Sequence, residues 1–197
     1  MEREPDIDAG HWLRGALPRP SPNCNDRLRQ DDIGLVVIHG ITVPPGQFGT
    51  GLVEALFLNT LDLTSHPALA DLEGVRVSAH LFIDRRGAVT QFVPFHRRAW
   101  HAGVSSFGGR ENCNDFAIGI ELEGTDDAPY DDAQYERLTG VLQALFLRYP
   151  QLSPSRVVGH AEIAPGRKTD PGPAFDWQRL LADLASSVPS GLGAKPR

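Results

Sequence analysis

Cysteine is nearly absent from this 197-residue chain, which carries only Cys24 and Cys113. A small extracellular scaffold that substitutes disulfides for a core is therefore excluded. Neither cysteine has a partner cysteine at metal-ligating spacing, so Cys113 in ENCND reads as a small buried apolar residue. Long apolar runs are missing too: no uninterrupted stretch approaches the roughly 18 residues that suggest a membrane span. No tract rich in lysine or arginine occurs, and the formal charge of -6 opposes nucleic acid and anionic membranes as partners, because both call for a basic patch. The opening segment MEREPDIDAGHWLRG has no positively charged leader followed by an apolar stretch, and the other end shows no lipidation pattern. The expectation is a cytoplasmic protein with reduced thiols and no membrane attachment.

What is present suits one globular domain. Hydrophobic content of 41% over 197 residues is enough to bury a core without disulfides or oligomerisation, so a monomer is expected. Residues 1–30, rich in Pro, Arg and Asp, read as an irregular wrap, residues 31–187 as the folded body, and residues 188–197 as a flexible tail. Leu35-Val36-Val37-Ile38 is an all-apolar run typical of a strand buried on both faces, with His39 at its end. Val77 to Asp84 and Val89 to Val93 flank a turn containing Gly87, which predicts a hairpin. Phe116 to Leu122 predicts another strand. Leu138, Val141, Leu142, Leu145 and Tyr149 share one helical face, in a segment that Asp131 and Gln134 can cap and Pro150 ends. A short strand over Val157-Val158 ending at His160 and a last helix over Asp176 to Ser186 complete the reading. Strands interspersed with helices, one hairpin among them, imply an α/β fold: a single domain with a central mixed β-sheet flanked by α-helices.

Three polar residues stand out in this frame. His39 ends GLVVIHG, and His160 and Asp170 lie in GHAEIAPGRKTDPG. Two imidazoles and a carboxylate form a zinc ligand set, and a three-ligand site that leaves one tetrahedral position open is catalytic rather than structural. Taken singly, each also fits an ordinary hydrogen-bonding role in a loop or core. Lys168 is a second clue, because the chain has 17 arginines and only one other lysine, Lys195. A compact ammonium can settle against a developing oxyanion, or it can be a solvated loop residue.

The longer motifs HWLRGALPRPSPNCNDR, VVIHGITVPPGQFG, WHAG, NDFAIGIELEG and GRKTDPGPAFDW follow one another in an order that resembles a known family. The chain resembles the zinc-dependent N-acetylmuramoyl-L-alanine amidases shared by phage amidase lysozymes and peptidoglycan-recognition proteins. Within them it is most similar to the cytoplasmic AmpD-type 1,6-anhydro-N-acetylmuramyl-L-alanine amidases of bacterial cell-wall recycling. The resemblance covers nearly the whole chain and makes residues 31–187 an amidase domain. It implies zinc as the cofactor, held by His39, His160 and Asp170, and an anhydro-muropeptide as substrate. Strand alternation places Glu121 and Glu123 on one face and does not choose between them; the resemblance chooses Glu121 as the acid/base. It also makes Lys168 the residue that stabilises the oxyanion. Arg76, Trp100, His101 and Arg167 are expected to bind substrate, although His101 and Trp100 also suit structural roles and either Arg a solvated one. Gly40 stands where related enzymes carry Asn, and Asn112 where some carry Arg. A phage-type or autolytic amidase on intact peptidoglycan, and a non-catalytic peptidoglycan-binding module, are the alternative readings. The Pro/Gly-rich start of Ile41 to Asp71 makes that segment a candidate lid.

Overall fold

The computed structural model describes residues 6–186. The expected tail, 188–197, and the first five residues of the wrap lie outside them. Among the described residues ten strands are present: β1 Leu17–Pro18, β2 Cys24–Asp26, β3 Leu35–Ile41, β4 Leu81–Ile83, β5 Val89–Gln91, β6 Arg97–Ala99, β7 Ser106–Phe107, β8 Arg110–Glu111, β9 Ala117–Glu123 and β10 Val157–Gly159. Four α-helices accompany them: α1 Leu52–Phe57, α2 Asp132–Arg148, α3 His160–Ile163 and α4 Trp177–Ser186. Six strands form one sheet in the order β1-β5-β4-β9-β3-β10, all neighbours parallel except the β4–β5 hairpin. The expected mixed sheet flanked by helices is borne out. Among the described residues no helix is long and apolar enough to cross a membrane.

The two longest strands, β3 and β9, are buried along most of their length because both faces are covered. Val36 and Ile38 of β3 and Ile118, Ile120 and Leu122 of β9 pack against Leu138, Val141, Leu142 and Leu145 of α2 and Leu180 and Leu184 of α4. The predicted helical face of α2 is therefore the core face. Asp131 precedes this helix and donates its N–H to Gln134 Oε1, as the sequence spacing suggests. On the other face Leu35, Val37, Ala117 and Val158 pack against Ala102, Cys113, Phe116 and Ile163, and Cys113 is fully buried as expected. The third cluster joins Val53, Leu56 and Phe57 of α1 to Phe92, Val93 and Ala99, so the segment Ile41 to Asp71 carries a helix packed on the body.

Three expectations change in detail. The first strand of the hairpin is Leu81–Ile83, shorter than Val77 to Asp84. Ahead of it Ser78 donates its N–H to Trp100 O, and His80 donates to Gly119 O and accepts the Phe92 N–H. His160 opens α3 instead of ending a strand, because the Glu162 carboxylate accepts the Gly159 N–H and starts the helix there. Within the wrap, β1 pairs with β5 and β2 with β6, so residues 17–26 contribute short strands. The turn residue Gly87 has φ 78°, the left-handed conformation that glycine adopts without a steric penalty.

Candidate active site

Register brings the chemistry together. β3 and β9 run parallel with His39 opposite Glu121, and β10 on the other side of β3 leads directly into His160. Alternation turns His39 and Glu121 to the face opposite α2. Asp170 arrives on the loop after α3, whose Asp170–Pro171 peptide is cis. Pro171 and the Tyr130 side chain fix that loop. The Tyr130 hydroxyl donates to Pro171 O at 3.0 Å and fills the space above Gly40, where a Cβ would lie 2.3 Å from it. Gly40 thus makes room for Tyr130.

The three expected ligands meet. His39 Nδ1 is 2.9 Å from His160 Nδ1, and Asp170 Oδ2 is 3.1 Å from each. Both imidazoles are buried and Asp170 is partly so. Edges near 3 Å fit the donor triangle of a tetrahedral zinc, for which bonds of about 2.0–2.1 Å imply edges of about 3.3 Å. The second nitrogen of each ring is engaged: His160 Nε2 faces Ala102 O at 3.1 Å and His39 Nε2 faces His101 Nδ1 at 2.9 Å. Such outer partners orient a ring for metal binding. Burial would raise the Asp170 carboxyl, but its polar contacts with the His160 and His39 imidazoles hold it well below the usual carboxylate range. Burial lowers His39 to about 4 against the opposing pull of Asp170, so the ring is neutral and able to ligate at pH 7. The residues therefore fit a divalent cation of zinc's chemistry.

Glu121 and Glu123 separate here. Glu121 is buried and its Oε2 has no hydrogen-bond partner among the described residues. Burial first, and the Asp170 charge second, push its carboxyl well above the usual range, with Lys168 opposing. Glu123 is occupied, accepting the Gly49 N–H on one oxygen and the Arg85 N–H on the other. Lys168 is exposed, with its charge felt at both His39 and Glu121.

The expected substrate residues divide. Arg167 donates to Ala102 O and Val104 O at 2.6 and 2.7 Å, which places it beside His160. With Val104, Ser105 and Asn112 it lines an open cavity of 370 Å³. Trp100 is half-buried and donates its indole N–H to Asn25 Oδ1. Arg76 is exposed, and its guanidinium bonds only the neighbouring Val75 O among the described residues. His101 is buried, with its Nδ1 against His39 Nε2. Sequence reasoning missed Asn114, Tyr130 and the Ala102 carbonyl. Asn114 sits within the NDFAIGIE motif, but a backbone acceptor leaves no signal in residue types.

The arrangement matches known proteins. Residues 29–173 match the family described as N-acetylmuramoyl-L-alanine amidase. The chain is 52% identical over 181 residues to the 1,6-anhydro-N-acetylmuramyl-L-alanine amidase AmpD of Citrobacter freundii, covering 92% of this chain and 96% of the relative. A crystal structure of a selenomethionine AmpD derivative superposes with a TM-score of 0.87 at 51% identity, covering 90% of this chain and 98% of that one. The Escherichia coli amidase AmiD, bound to anhydro-N-acetylmuramic acid-L-Ala-D-gamma-Glu-L-Lys, is similar at a TM-score of 0.57 and 29% identity, over 92% of this chain and 66% of that one. By sequence, fold and the convergence of its polar residues, the chain belongs to the N-acetylmuramoyl-L-alanine amidase family.

Proposed function

We propose that the protein hydrolyses the amide between the lactyl group of 1,6-anhydro-N-acetylmuramic acid and L-alanine in muropeptides, in the cytoplasm, during peptidoglycan recycling. The observation that carries this reading is the buried, unpartnered Glu121 carboxylate in register with His39, beside three ligand atoms about 3 Å apart. High identity to relatives named for this reaction supports the substrate class.

His39, His160 and Asp170 would hold zinc. Zinc bound there would polarise the lactyl carbonyl and lower the pKa of a water toward about 7. Glu121 accepts the proton of the attacking water and passes it to the departing alanine nitrogen. Its raised affinity for a proton, set by burial and by Asp170, suits that shuttle. Lys168 supplies positive charge to the carbonyl oxygen as it becomes an oxyanion. Arg167 offers its fork to a peptide carboxylate, and Trp100 and Arg76 are proposed to contact the muramyl or peptide portion.

The test is mass detection of anhydro-muramyl-tripeptide and its reducing-sugar counterpart after incubation with purified, zinc-loaded protein. Release of tripeptide with strong preference for the anhydro form is expected. Equal turnover would replace the recycling reading with a general amidase, and no turnover would replace it with a binding module.

A further inference from the structure

His101 approaches the backbone of β9 more closely than any residue with a Cβ would permit. A Cβ at Gly119 would come within 2.4–2.7 Å of three atoms of the His101 ring, so glycine in the middle of this buried strand is what admits the ring. The chain carrying the ring is also fixed. Asn114 Oδ1 accepts the N–H groups of His101 and Ala102 at 3.0 and 2.8 Å. So mounted, His101 places Nδ1 2.9 Å from His39 Nε2.

A neutral imidazole carries one N–H and one lone pair. For His39 to offer the Nδ1 lone pair beside His160 Nδ1 and Asp170 Oδ2, its proton must sit on Nε2, facing the His101 Nδ1 acceptor. With the opposite proton order, His101 donates and His39 keeps a proton on Nδ1, pointing it at His160 and Asp170. That order holds the three side chains together but gives a cation no lone pair on His39. The other imidazole is set in the same way by the next residue, because His160 Nε2–H donates to the Ala102 carbonyl.

We infer that the His101-Ala102 dipeptide, held by Asn114, sets both imidazoles in the tautomer that frees Nδ1 for the cation, and that His101 is a positioning residue instead of a substrate contact. This rests on the metal reading proposed above. His101 then carries its own proton on Nε2, which has no acceptor among the described residues. The proton order is therefore one that the bound cation stabilises, not one that the His pair favours alone.

The experiment combines zinc affinity with imidazole protonation. Zinc stoichiometry and chelator competition are measured for the wild type, His101→Leu and His101→Gln, with melting of the metal-free forms as the check on folding. Leucine removes the acceptor and is expected to weaken zinc binding about 10–100-fold. Glutamine, whose side-chain oxygen can accept the His39 N–H, is expected to restore most of that loss. Long-range 1H–15N spectra of the zinc-loaded wild type should show protons on Nε2 of His39, His101 and His160, a readout independent of whether the variants fold. A wild type that binds no zinc would sink the metal reading itself. Zinc-loaded wild type with His101 protonated on Nδ1, or His101→Leu with unchanged affinity, would overturn this inference alone.

Discussion

At the scale of the residue, Glu121 and Glu123 show how far identity and role can part. They are two positions apart on one strand and share a face, yet only Glu123 has both carboxylate oxygens engaged by backbone N–H groups. Glu121→Gln is expected to lower kcat by about 10²–10⁴-fold while zinc content is retained. Glu123→Gln should instead lower the melting temperature with kcat nearly intact. Steady-state kinetics and metal analysis on the pair distinguish the roles, and equal kinetic losses would refute the assignment. If Lys168 stabilises the oxyanion as proposed, Lys168→Ala is expected to cost about 2.7–4 kcal/mol in kcat, or about 10²–10³-fold. A loss confined to KM would assign Lys168 to ground-state binding instead.

At the scale of the element, α2 was legible because its stripe of Leu138, Val141, Leu142 and Leu145 is a local pattern, and all four are fully buried. The far longer reach of Gln134 was not legible. Its side chain accepts the Asp131 N–H, as a cap should, and also donates to Ile83 O and Glu123 O, joining the start of α2 to the ends of β4 and β9. Gln134→Ala forfeits three hydrogen bonds at a buried junction and is expected to destabilise the protein by about 2–4 kcal/mol, measured by urea unfolding. A loss of only a few tenths would reduce Gln134 to a surface cap. Residues 77–80 depart from the strand expected there for the same reason. Their alternation is that of a strand, but their hydrogen bonds go to partners set by tertiary packing.

At the scale of the whole molecule, the proposed ligands come from two distant stretches of chain, His39 from one and His160 with Asp170 from the other, so metal and fold should be coupled. Chelation is expected to abolish activity and lower the melting temperature, with both restored by zinc. Free zinc at 1,000 times its Kd would contribute about 4 kcal/mol of stability. An unchanged melting curve on chelation would argue against the site. Acid should act on the metal-free protein through His80, which is fully buried and lowered to about 3, first by burial and then by Arg27. Because its folded pKa lies below the unfolded value of about 6.5, the unfolded chain binds the extra proton in that window. Stability therefore falls as pH drops from about 6.5 toward 3, by on the order of 3 kcal/mol at pH 4 from this group. Urea unfolding of wild type and His80→Gln across that range tests this, the variant showing the shallower dependence. Identical slopes would exclude His80 as the source.

The sequence alone determined the α/β class, the principal helix, the central strands, the family and the residues that converge as candidate ligands, because these reside in local periodicity and in motifs that run along the chain. Tertiary structure alone decided which glutamate is free, why Gly119 and Gly40 must lack side chains, and that His101 is buried against His39. The physical reason is that hydrogen-bond satisfaction and close packing depend on what arrives from distant parts of the chain. Asn114, Tyr130 and the Ala102 carbonyl act through contacts that no spacing in the sequence records.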